Sequence, residues 1–199
     1  MITRAWTWPL ERDYKVAVTN PTDGDLVAAT LAGDRDAFGV IVERHRRHVY
    51  QLCFRFVGNH EDASDLAQDV FIRAFRSLKT FKGDAALGTW LHRIAVNVSL
   101  NKVSAAKVRP EPLDALLRAG DLRAAADIES ASDALLRDER AAIVRAAIAK
   151  LPKKQRATLI LRVYHDLSHQ EIAGILGSSV GAVKANFFHA LGNLKKLLS

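Results

Sequence analysis

The chain has 199 residues, about half of them apolar and only 7% aromatic, enough for one large or two small packed units that bury an ordinary core. With 11 glycines, 5 prolines, a single cysteine and few short runs of alternating polarity, the composition excludes a disulfide framework and points to an all-α protein. The net charge of +7 calls for a polyanionic partner, and no apolar run approaches the ~20 residues of a membrane span, so a soluble cytoplasmic protein is expected.

Residues 1–22 show no sustained period and no apolar stretch of the kind that marks a secretory signal, and they are read as an N-terminal tail carrying Trp6 and Trp8. Helical spacing begins at Asp23 with the segment DLVAATL, closed at Gly33. A longer helix follows, in which Phe38, Ile41, Val42, Val49, Leu52, Cys53 and Phe56 recur at intervals of three and four before Gly58 ends it. Ala63, Leu66, Ala67, Val70, Ala74 and Leu78 mark a third helix. After the loop TFKGDAALG a fourth opens at Thr89, with Trp90, Ile94 and Val98 inward.

Between Ser104 and Asp133 the character changes: Pro110, Pro112 and Gly120 interrupt an alanine-rich stretch with six acidic and four basic residues, which reads as a flexible linker. Helical spacing resumes from Leu135 to Lys150, and Pro152 suits the first turn of the next helix. The expected architecture is therefore two small helical domains, 23–105 and 135–199, joined by a linker over 106–134. Charge separates them. Residues 1–134 carry 18 basic and 18 acidic side chains, whereas 135–199 carry 11 and 4, so the whole positive excess lies in the C-terminal third.

That third contains a helix-turn-helix pattern. Ser168-His169-Gln170-Glu171 spells a capping box that fixes a helix start, Leu167 can staple onto Ile172, and Ala173 offers a small residue where two helices cross. Gly177 supplies the turn, and Ser178 or Ser179 caps a second helix whose inward stripe is Val183, Phe187, Leu191, Leu194 and Leu198. The opposite face then presents Gly181, Lys184, Ala185, Phe188 and His189, placed with Ser179 to enter a major groove N-terminus first. Phe188 is either a contact to a thymine methyl or sugar, or part of a wider core.

Two stretches, DASDLAQDVFIRAFRSLKTFKGDAALGTWLHRIAVN and LPKKQRATLILRVYHDLSHQEIAGILGSSVGAVKANFFHAL, resemble the extracytoplasmic-function (ECF) sigma factors of bacterial RNA polymerase, in the family's order of melting domain, linker and helix-turn-helix domain. The resemblance implies an alternative sigma factor, not an enzyme and without a cofactor, whose partners are core RNA polymerase, promoter DNA and an anti-sigma factor. It assigns polymerase docking to Asp65, Gln68 and Asp69, which at spacings of three and four share a helix face away from Leu66 and Val70. It assigns capture of the single-stranded −10 element to Lys82, Gly83, Asp84 and Ala85, beside Arg93 and Asn97 on one face of the fourth helix. Reading of the duplex −35 element falls to Ser179, Gly181, Lys184, Ala185, Phe188 and His189, and the linker is implied to thread toward the RNA exit path. The chain departs from the family where a bulky aromatic usually replaces Leu87 and where basic residues are common at Asn186 and His189, which alters the expected −35 readout.

Trp90 is expected in the core and not as a stacking platform, by its place in the inward stripe. The pairs His45/His48 and His165/His169 have helical spacing but no cysteines or metalloprotease pattern beside them, so surface or capping roles and no metal are expected. The rival reading is a stand-alone helix-turn-helix regulator whose first domain senses a signal or dimerises.

Overall fold

A computed structural model describes residues 21–105 and 131–199. Among the described residues there are eight α-helices, one short 3-10 turn and no strand. The tail with Trp6 and Trp8, and linker residues 106–130, lie outside this set.

Local side-chain chemistry sets the helix boundaries. Thr22 accepts from the Asp25 amide while the Asp25 carboxylate receives the Thr22 amide, a capping box that starts α1 (Asp23–Leu31). Asp34 accepts from the amides of Asp36 and Ala37 to start α2 (Arg35–Val57), and Asn59 accepts from Asp62 to start α3 (His60–Ser77). A 3-10 turn over Leu78–Thr80 ends in the loop before α4 (Leu87–Ala105), which opens two residues earlier than expected. These helices close around Ile41, Leu52, Phe56, Val70, Leu78, Leu91 and Val96, all at most 2% exposed. Burial pushes the Cys53 thiol up to about 11, so it behaves as a small core side chain.

The second group comprises α5 (Ala131–Ala149), α6 (Lys153–Tyr164), α7 (His169–Leu176) and α8 (Val180–Leu198). Helix α5 begins inside the stretch read as linker. Pro152 stands at the cap of α6, one place ahead of the first turn expected for it. The Ser168–Glu171 capping box is formed in both directions, at 3.2 and 2.8 Å. Gly177 turns the chain at φ +57°, a left-handed conformation that a side chain disfavours, and Ser179 caps α8 by accepting from Ala182. Helix α8 packs on α5, α6 and α7. Its buried stripe is narrower than expected: Val183 and Ala190 are buried and Phe187 and Leu194 half-buried, whereas Leu191 and Leu198 are 46% and 44% exposed. Leu191 sits at the stripe's edge and Leu198 in the final turn, so the 3.6-residue period carries both off the contact line.

The two groups pack against each other, with α4 against α6 and α7 and α2 against α6. The Phe56 carbonyl, in the last turn of α2 where no intrahelical donor remains, accepts from the buried Arg156 guanidinium of α6. The Arg55 guanidinium lies 4.0 Å from the centre of the Tyr164 ring.

Candidate nucleic-acid interface

The six side chains and loop residues expected to grip a single strand converge. Lys82, Gly83, Asp84 and Ala85 from the loop, with Arg93 and Asn97 from α4, line one cavity of about 530 Å3. Gly83 bends the loop at φ +79°, where glycine alone is unstrained. Arg93 and Asn97 are exposed on adjacent turns of α4, so a cationic donor and an amide face the same space. A second hollow continues from it over Arg73, Arg76, Asn97 and Asn101, forming a basic and polar shelf between α3 and α4.

The cavity walls were partly missed from the sequence. Phe81 and Trp90 stand with ring centres 5.5 Å apart and line it together with Ile94. Trp90 is half-buried: it packs on the core, as expected, yet also presents a face to the cavity. Of the inward stripe drawn through Trp90, Ile94 and Val98, Val98 is buried as expected, but the stripe overlooked Leu91, Ala95 and Val96, which are buried where Trp90 and Ile94 are half-buried. The recurrence of Trp90, Ile94 and Asn97 at i, i+4 and i+7 was the available signal. Gly174 and Ile175 of α7 also line it, an arrangement that no local pattern reveals.

On α3, Asp65 and Gln68 are exposed and Asp69 half-buried. The Arg73 Nε donates to both Asp69 oxygens at 3.0 Å, an i, i+4 surface pair worth little to stability. Gln68 also borders a groove of about 940 Å3 between α2 and α3, walled by Phe38, Val42, Phe71, Ile72 and Phe75 and edged by Arg46, Arg47 and Arg76. This groove was not anticipated. Its signal was the second apolar stripe of α3, Ile72 and Phe75, lying outside the core stripe and exposed at 43% and 44%.

On α8, Gly181, Lys184, Ala185, Phe188 and His189 are all exposed, and Ser179 lies at the helix start with its hydroxyl committed to the cap. Phe188 is 75% exposed, which removes it from the core. The histidines keep the surface or capping roles expected of them only in part: His48 is exposed. His45 is largely buried and meets Asp23 at 3.0 Å, and His165 holds the position that ends α6 but packs its ring against His92. Among the described residues no group of three or more His, Cys, Asp or Glu is arranged to hold a metal ion, and no helix is long and apolar enough to cross a membrane.

A helix-turn-helix with its recognition face open, beside a helical bundle holding a basic polar cavity, defines a two-part DNA-binding protein. Residues 41–108 match the family model of sigma-70 region 2, and residues 141–194 match that of sigma-70 region 4. The chain is 37% identical to the RNA polymerase sigma-H factor of Pseudomonas aeruginosa over 185 residues, covering 91% of this chain and 96% of that protein. It is 36% identical to the ECF RNA polymerase sigma-E factor of Escherichia coli K12 over 173 residues, covering 85% and 90%. The solved structure of CnrH in complex with the cytosolic domain of CnrY superposes with a TM-score of 0.60 at 27% identity, over 88% of this chain and 96% of that one. The sigma factor RpoE of Bartonella quintana, solved with the anti-sigma factor NepR, shares the fold at a TM-score of 0.57 and 20% identity, over 81% and 96%.

The chain belongs to the ECF family of RNA polymerase sigma factors. It is an alternative sigma factor acting in transcription initiation, with core RNA polymerase and promoter DNA as partners, and the stand-alone regulator is set aside.

Proposed function

We propose that the helical groups divide promoter recognition between them, with residues 23–105 engaging polymerase and the opened −10 strand, residues 135–199 reading the −35 duplex, and 106–134 tethering them. The observation that carries this reading is the convergence of Lys82, Gly83, Asp84, Ala85, Arg93 and Asn97 on one cavity. A base drawn from the stack loses its pairing and needs replacement hydrogen bonds and a ring to lie against. Arg93 and Asn97 supply the donors, Phe81 and Trp90 the aromatic wall, and the shelf of Arg73 and Arg76 a path for the phosphates that follow.

Docking on core polymerase falls to Asp65, Gln68 and Asp69, whose carboxylates suit a basic partner helix while the adjoining groove accepts apolar side chains. Exchanging both aspartates for arginine (Asp65→Arg with Asp69→Arg) is expected to weaken capture of purified core polymerase by about tenfold or more, since each change replaces an attraction with a repulsion. Unchanged capture by the doubly reversed chain would contradict the docking assignment.

On the −35 side, Ser179, Gly181, Lys184, Ala185, Phe188 and His189 form the reading surface, with Lys184 meeting phosphate or guanine and Phe188 the apolar edge of the groove. Lys184→Ala is expected to weaken duplex binding across sequences and to lower the slope of log affinity against log salt by about one, because one fewer counterion is released. Anisotropy titrations at several salt concentrations measure that slope, and an unaltered slope would remove Lys184 from the backbone contacts. The likeness to sigma factors solved in complex supports an anti-sigma partner. The chain works in the cytoplasm, where polymerase and DNA are met, and turns over no substrate of its own.

A further inference from the structure

The cavity assigned to the −10 strand has a lid contributed by the other half of the molecule. Gly174 and Ile175 of α7 line it together with Lys82, Arg93 and Asn97, so in this arrangement the second group of helices borders the space a strand must enter. The contact beside this lid is built from histidine. His92 of α4 and His165 at the end of α6 meet edge to face with ring centres 5.2 Å apart. The Nδ1 of His92 and the Nε2 of His165 are both sealed from solvent without a hydrogen-bond partner.

We propose that the His92–His165 contact is a proton-operated latch: with both rings neutral the second helical group is held as a shutter over the strand cavity, and protonation of the pair releases it. The shutter's consequence rests on the cavity being the −10 strand site, but the latch itself does not. A neutral ring tolerates an apolar contact with one unpaired nitrogen at modest cost, whereas an imidazolium in the same place must hold a buried charge.

The surrounding charges reinforce this. Helix α2 presents His45 and His48 to His92 and His48 and Arg55 to His165, and the turn after α6 presents the opposing carboxylate of Asp166 to His165. His45 already faces Asp23 of α1. Burial first pushes both rings down to about 4, with His165, His48 and His45 adding to it at His92, and His48 and Arg55 adding to it at His165. Freed from the contact, each ring returns toward its ordinary value of about 6.5. The open form therefore binds more protons than the closed one between those two values. Closure is fully favoured above about 6.5, weakens as pH falls toward 4, and changes no further below it, by up to about tenfold per histidine per pH unit.

The test uses the full chain without polymerase. Small-angle X-ray scattering at pH 7.5 and at pH 5 should show the radius of gyration increasing at the lower pH while far-ultraviolet circular dichroism holds its helical signal. The double variant His92→Gln with His165→Gln, which cannot take up protons at these sites, should give the same radius at both values, whether it rests closed or open. A wild-type radius unaffected by pH, an equal expansion in the double variant, or expansion accompanied by loss of helix signal would each overturn the latch. Anisotropy of fluorescein-labelled single-stranded decamers of random sequence separates the two readings. Expansion with increased strand binding supports the shutter, whereas expansion without it leaves the latch standing and removes the strand assignment of the cavity.

Discussion

Replacing Phe56 with alanine is expected to cost about 3–5 kcal/mol of folding stability, among the largest losses open to a single substitution in this chain. Phe56 is fully buried near the end of α2, and the Arg156 guanidinium lies 5.8 Å from its ring centre while donating to its carbonyl. Truncation opens a cavity that neither the rigid helix ends nor the guanidinium can fill. Arg156 is itself buried, with its Nε lacking a hydrogen-bond partner, and desolvation lowers its affinity for the proton, so loosened packing there also weakens the junction between the helical groups. Urea unfolding followed by circular dichroism measures the effect. A loss below about 1 kcal/mol would place Phe56 outside the core.

The second large effect is functional. Arg93→Ala with Asn97→Ala is expected to reduce promoter opening by about a hundredfold, since hydrogen bonds that involve a charged group contribute about 1.5–3 kcal/mol and the neutral partner adds to that. Both side chains are exposed on α4 and hold no core position, so the variant should fold, capture polymerase and bind the −35 duplex as the parent does. Permanganate reactivity of unpaired thymines at the −10 element reads opening separately from binding. Undiminished reactivity would show that the strand runs elsewhere.

Most of the helices were legible because they announce themselves locally. Ser168 and Glu171 specify the start of α7 by chemistry contained in four residues, Gly177 specifies its end, and the apolar period of α2 points Ile41, Leu52 and Phe56 to one side. The loop and α4 residues Lys82, Gly83, Asp84, Ala85, Arg93 and Asn97 were singled out through family resemblance, and the fold brings them to one cavity. What escaped depends on packing between distant segments. The groove beside Gln68 arises because Phe38 of α2 meets Phe75 of α3, 37 positions later, with ring centres 4.9 Å apart. The second apolar stripe of α3 is visible in the sequence; that Phe38 of α2 meets it is not. In the same way the meeting of His92 with His165 depends on the two helical groups being in contact, which no spacing within one helix reveals. Leu191 and Leu198 failed in the opposite direction: their spacing suits a buried stripe, but α8 meets its partner helices along a narrower line.

Transcription by purified core polymerase supplied with the full chain and a library of promoter fragments tests the central claim most directly. Run-off products should arise from a subset of fragments that share two elements at a fixed spacing, and should vanish when either element is altered or when Arg93 and Asn97 are both removed. Absence of run-off product from every fragment, with a core enzyme that responds to another sigma factor, would contradict it.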